Sequence, residues 1–127
     1  MITFTEQHTV APHETAAEMG SGLLPVYATP SVVALMEHTA CELIATCKTW
    51  DQGAIPPGAT TVGTHMAIDH VKACLPGEQV TSTATLLAVE GRQYQFKVEV
   101  TNKSGDLLAT AEHTRFLVYS ERFMAKL

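Results

Sequence analysis

A chain of 127 residues, 46% hydrophobic and 17% charged, has the length and balance of one globular domain with a single core. Lys and Arg number 8 against 13 Asp and Glu, a formal net charge of -5, and no basic run occurs, so nucleic-acid binding by phosphate neutralisation is not expected. No apolar run is long enough to span a membrane, the opening MITFTEQHTV lacks the regions of a secretory leader, and Cys41, Cys47 and Cys74 form no Cys-x-x-Cys, which reads as free thiols in a cytoplasmic protein.

Residues 2–10 alternate loosely, as an edge strand does, and residues 11–28 are irregular, punctuated by Pro12, Gly20, Gly22 and Pro25. The clearest helix follows, over 29–50, with Thr29 expected as N-cap and Pro30 at the first helical position. Val32, Met36, Thr39, Ala40, Leu43 and Cys47 form its apolar stripe, and Ser31, Ala34, His38, Glu42 and Ala45 the opposite face. The period then changes. Val62, Thr64, Met66, Ile68 and His70 share one face of a strand, with Gly63, His65, Ala67, Asp69 and Val71 on the other. After a turn at 76–78 comes the β-branched and apolar run TSTATLLAV, and Gly91 marks a tight hairpin. Tyr94, Phe96, Val98 and Val100 then alternate with polar residues, and a last long strand, LLATAEHTRFLVY, follows the turn NKSGD.

The order is thus strand, helix, then four long strands joined by short turns, which implies a mostly antiparallel sheet covering one apolar helix. The expected class is α+β, with residues 1–127 as one domain; a curved antiparallel sheet wrapping a long central helix, the hot-dog architecture, fits this order, as do other α+β folds with short hairpins and one helix. Such a sheet leaves an edge and one side of its helix uncovered, so a homodimer or a dimer of dimers is expected.

Three side chains are candidates for chemistry. Glu37 lies at the margin of the helical stripe, where a carboxylate can act as base or nucleophile or simply pair with Lys48 or a partner subunit. Thr29 is two turns away on the same side of the helix; it caps the helix or helps to receive a carbonyl oxygen at the N-terminus. His70 sits on an otherwise apolar strand face, as a hydrogen-bonded core histidine or a proton carrier. No metal set is expected: His65 and His70 point to opposite faces, and His38 with Glu42 lacks a third ligand.

The runs YATPSVVALMEHTA, TTVGTHMAIDHVKACLPGEQVT, VEGRQYQFKVEV and AEHTRF resemble the fluoroacetyl-CoA thioesterase family of hot-dog proteins from about residue 8 onward. The resemblance implies hydrolysis of a small acyl-CoA thioester, with no cofactor because coenzyme A is part of the substrate. It implies a catalytic threonine, glutamate and histidine at Thr29, Glu37 and His70, with Gly63 near the thioester. Arg92, with Lys72 and Arg115, is a candidate contact for the CoA phosphates; all three otherwise read as solvated surface. WDQGAIPPG lengthens the segment after the helix, and AAEMGSGLLPV lacks the phenylalanines of the family's substrate lid, so no strong fluoroacetyl preference is expected. Two other readings share the fold: a non-catalytic acyl-CoA-binding protein, and a hot-dog enoyl-CoA hydratase. The adjacency of Asp69 and His70, which sends them to opposite faces, disfavours the Asp–His pair of the latter.

Overall fold

The computed structural model describes residues 2–47 and 54–127. The N-terminal alternation forms β1 (Thr3–Thr9), with Phe4, Glu6 and His8 half-buried and the threonines exposed. The irregular stretch after it folds back on itself. A short helix, α1 (Ala16–Met19), ends at Gly20, whose φ of 77° is the left-handed conformation that glycine adopts without strain. Ala16 N–H donates to the Val26 carbonyl at 2.9 Å, and Thr15 bridges Tyr27, so the segment closes over the start of the next helix.

That helix, α2, spans Thr29–Thr46. Cys47, expected inside the helix, is instead its C-cap with extended backbone, and residues 48–50, with the expected Glu37–Lys48 pair, lie outside the described residues. Ala28 is the N-cap and Thr29 the first helical residue, so the Thr29 hydroxyl does no capping and is free for another partner. Val32, Leu35, Met36, Thr39, Ala40, Leu43 and Ile44 are buried, which is the 3–4 spacing of a stripe facing a sheet. Fully buried Val32, Met36 and Leu43 each contribute roughly 2 kcal/mol of transfer free energy. Ser31 departs from the expected outer face: it is buried because the preceding segment covers it, its hydroxyl donating to Met19 Sδ at 2.7 Å. Cys47, expected on the stripe, is only half-buried at the helix end.

Four further strands, β2 (Ala59–His70), β3 (Gln79–Glu90), β4 (Gln93–Asn102) and β5 (Leu107–Tyr119), join β1 in an antiparallel sheet of order β1-β3-β4-β5-β2. The hot-dog architecture expected from the pattern is present. One connection corrects it. β2 and β3 are not a hairpin; they stand apart in the sheet, and residues 71–78 carry the chain across its end, held by Val71 N–H on the Leu108 carbonyl and Tyr27 N–H on the Cys74 carbonyl. The Pro76–Gly77 turn exists, but it starts β3 beside β1 and leaves β2 as a second edge strand.

A second correction concerns strand phase. The β2–β5 register shifts between Gly63 and His65, a bulge at Thr64. One extra residue exchanges the two faces of a strand. The interior face of β2 is therefore Thr61 and Gly63 before the bulge and Met66, Ile68 and His70 after it; Val62 and Thr64 do not belong to it. β4 needs no such correction: Tyr94, Phe96, Val98 and Val100 are all buried. Among the described residues no helix is long and apolar enough to cross a membrane.

Candidate active site

Two groups of polar side chains join α2 to the sheet. The first joins the start of α2 to the end of β2: Thr29 Oγ1 lies 2.8 Å from His70 Nδ1. This is the partner that the uncapped hydroxyl finds. His70 Nε2 is buried without a hydrogen-bond partner, unusual for an imidazole nitrogen and costly unless something else engages it. Thr29 and His70 line one cleft with Tyr27, Val71 and Lys72.

The second group surrounds Glu37. Arg115, only 6% exposed, donates from Nε to Thr61 Oγ1 and from Nη2 to the Thr61 carbonyl, both at 2.9 Å. Its Nη1 lies 3.4 Å from Glu37 Oε2 and 3.2 Å from His113 Nε2. His113 Nδ1 donates to the His65 carbonyl at 2.7 Å, so the neutral ring presents Nε2 as an acceptor to the guanidinium. Burial, together with the Arg115 charge, holds the His113 pKa below its ordinary value, which matches that neutral role. A Cβ at Gly63 would stand 2.5 Å from Glu37 Oε2 and 3.3 Å from the His113 ring. The absent side chain is what makes room for the carboxylate beside the β2 backbone.

The structure brings Thr29 and His70 together but does not add Glu37 to them within one subunit. Eight residues of helix separate Glu37 from Thr29, about 12 Å along the axis. Gly63 and His70 are seven residues apart on β2, on the order of 20 Å. Gly63 lies with Glu37, as expected. His65 is exposed on the outer face, as is Asp69, away from His70.

Two residues of the second group, Thr61 and His113, escaped the sequence reading, and Arg115 was read as a CoA phosphate contact or solvated surface. Arg115 in particular is no solvated surface residue but the hub of the cluster. The signal was available in β5, where His113 and Arg115 alternate in phase with buried Ala109, Ala111 and Leu117, the same anomaly that singled out His70. Arg92 stands elsewhere, in the β3–β4 turn, its guanidinium 5.8 Å from the centre of the Tyr119 ring. Lys72 is exposed and paired with Asp106 at 2.7 Å.

The profile of a family described as fluoroacetyl-CoA-specific thioesterase matches residues 10–121. The fluoroacetyl-CoA thioesterase of Streptantibioticus cattleyicolor is 30% identical over 97% of this chain and 87% of its own length. A solved structure of the fluoroacetyl-CoA thioesterase FlK superposes with a TM-score of 0.87 at 30% identity, covering 98% of this chain and 90% of that one. A thioesterase superfamily member from Thermus thermophilus, 24% identical over 97% of this chain and 85% of its own, shares the fold with a TM-score of 0.84. Fold and sequence agree, and the chain belongs to the fluoroacetyl-CoA-specific thioesterase family of hot-dog proteins.

Proposed function

We propose that this protein hydrolyses a small acyl-CoA thioester to the carboxylate and free CoA in the cytoplasm, with Glu37, His70 and Thr29 as the reacting and orienting groups. The observation that carries the reading is the Glu37 carboxylate, held by buried Arg115 and facing backbone left bare by Gly63. A flat thioester can approach there and nowhere that a Cβ intrudes. Glu37 removes a proton from water as the water oxygen adds to the carbonyl carbon, the tetrahedral adduct collapses with loss of the C–S bond, and protonated His70 gives its proton to the departing sulfur; the proton held by Glu37 then passes back to His70, and the acid product loses its own to solvent. The Thr29 hydroxyl orients His70 through their hydrogen bond. No cofactor enters these steps.

The separation of Glu37 from His70 favours a site shared between two subunits. Among the described residues β2 pairs only with β5, which leaves its other side to pair with a second copy. Antiparallel self-pairing of β2 centred between Met66 and Ala67 would set Gly63, with its Glu37, against His70 of the partner subunit. A two-fold dimer would then hold two complete sites. The expected solution mass at micromolar concentration is that of a dimer or a multiple of it; a monomer in light scattering removes this reading.

A panel of CoA esters followed by thiol release tests the activity. Turnover of short acyl-CoAs is expected. Tight binding without thiol release would favour the acyl-CoA-binding alternative, and hydration of an enoyl-CoA the hydratase; Asp69, exposed and turned away from His70, speaks against the latter. The segment over α1 ends in exposed Leu23 and Leu24, and its aromatic residue, Tyr27, is buried. The expected kcat/KM for fluoroacetyl-CoA therefore exceeds that for acetyl-CoA by less than about a thousandfold, roughly 4 kcal/mol.

A further inference from the structure

Cations are scarce in this chain, 8 Lys and Arg at a net charge of -5, yet three of them meet in one place. Arg92 in the β3–β4 turn, and Arg122 and Lys126 at the C-terminal helix α3 (Ser120–Ala125), line a shallow cleft with Val118, Tyr119 and Phe123. The guanidinium of Arg122 lies 4.9 Å, and that of Arg92 5.8 Å, from the Tyr119 ring centre. Among the described residues none of the three forms an ion pair, whereas Lys72 and Arg115 each have a carboxylate. Like charges one helical turn apart, as Arg122 and Lys126 are, repel each other unless an anion lies between them. Phe123 adds an exposed aromatic surface at 37% of its area.

The position of this cleft is as informative as its charge. Tyr119 follows Arg115 by four residues on the same face of β5, about 13 Å along the strand. That is within the reach of an extended pantetheine arm whose thioester lies beside Glu37. We infer that the cleft binds the 3′-phosphorylated adenosine diphosphate portion of the acyl-CoA, with Arg92, Arg122 and Lys126 on its phosphates and the purine against Phe123. Guanidinium forks suit phosphate oxygens, and the two aromatic rings hold the forks and the base in place. In a chain of net negative charge, such a patch also concentrates an anionic substrate where the rest of the surface repels it. The inference rests on the acyl-CoA reading and deepens it, since of the three cations in the cleft the sequence suggested Arg92 and neither Arg122 nor Lys126.

The test compares two thioesters of the same acyl group, one on CoA and one on pantetheine, which lacks the nucleotide. For Arg92→Gln combined with Arg122→Gln, KM for the acyl-CoA is expected to rise about tenfold or more, with kcat and the kinetics of the acyl-pantetheine unchanged. Lys126→Gln should add to the rise. In calorimetry, adenosine 3′,5′-bisphosphate should bind the wild-type chain, more weakly as salt increases, and not the double variant. An unchanged KM for the acyl-CoA, or an equal loss with both thioesters, overturns the assignment. Should wild-type protein cleave neither thioester, the hydrolase reading fails, and nucleotide binding by calorimetry still decides for or against the cleft.

Discussion

Glu37→Gln is expected to lower kcat by about a hundredfold or more while leaving the folded state nearly intact, because general acid–base groups contribute on this scale and the amide keeps the shape of the carboxylate. Stability should scarcely change: the Glu37 side chain is 40% exposed and its contact with Arg115 is long at 3.4 Å, so little Coulomb energy is lost after solvent screening. His70→Ala should produce a similar loss of kcat by removing the proton carrier. His65→Ala, on the outer face, should be mild. Gly63→Ala should resemble Glu37→Gln, since the new methyl collides with the flexible end of Glu37 and moves it aside without disturbing backbone. The arrangement of the site makes a sharper demand. If the site is shared between two subunits as proposed, Glu37→Gln and His70→Ala proteins should each keep about a hundredth of the activity or less, but each mixed dimer would keep one site with both native groups. Refolding the two variants together should restore about a quarter of wild-type activity. No restoration would place Glu37 and His70 in one subunit's site. Wild-type turnover by Glu37→Gln would remove the carboxylate from the mechanism altogether.

Arg115→Met should act in the opposite sense, with a large loss of stability as well as of activity. Among the described residues the guanidinium is the only side-chain donor to the Thr61 carbonyl, and it also satisfies Thr61 Oγ1 and His113 Nε2. Removing it strands these buried acceptors, each costing about 1–3 kcal/mol when unsatisfied. A total of about 3 kcal/mol is expected, most of it from Thr61 and His113 rather than from the half-exposed Glu37, and readable as a lower denaturation midpoint at unchanged m-value. Activity should fall too, because Glu37 loses the group that aims it. A loss of stability below about 1 kcal/mol would show that water reaches these acceptors and that Arg115 serves the carboxylate alone.

Much of this protein was present in local sequence pattern. The helical stripe from Val32 to Leu43, the alternation of Tyr94, Phe96, Val98 and Val100, and the glycine turns at Gly91 and Gly105 depend on contacts within a few residues, so their period reports them directly. The same logic found Glu37 at a helix margin and His70 on an apolar strand face. It failed where a distant strand decided the outcome. The bulge at Thr64 follows from pairing with β5, fifty residues later, and it moved Gly63 and Thr61 to the interior in place of Val62. Pairing also sent β2 to the far edge of the sheet instead of into a hairpin with β3. The alternating sequence of β5 marked His113 and Arg115 as interior, but only packing against Thr61 and Glu37 made them one hydrogen-bonded unit. Spacing along the chain put Thr29, Glu37 and His70 on compatible faces. The tertiary structure alone decided that His70 meets Thr29 and not Glu37, because distances between elements are set by how helix and sheet pack, and no local period encodes them.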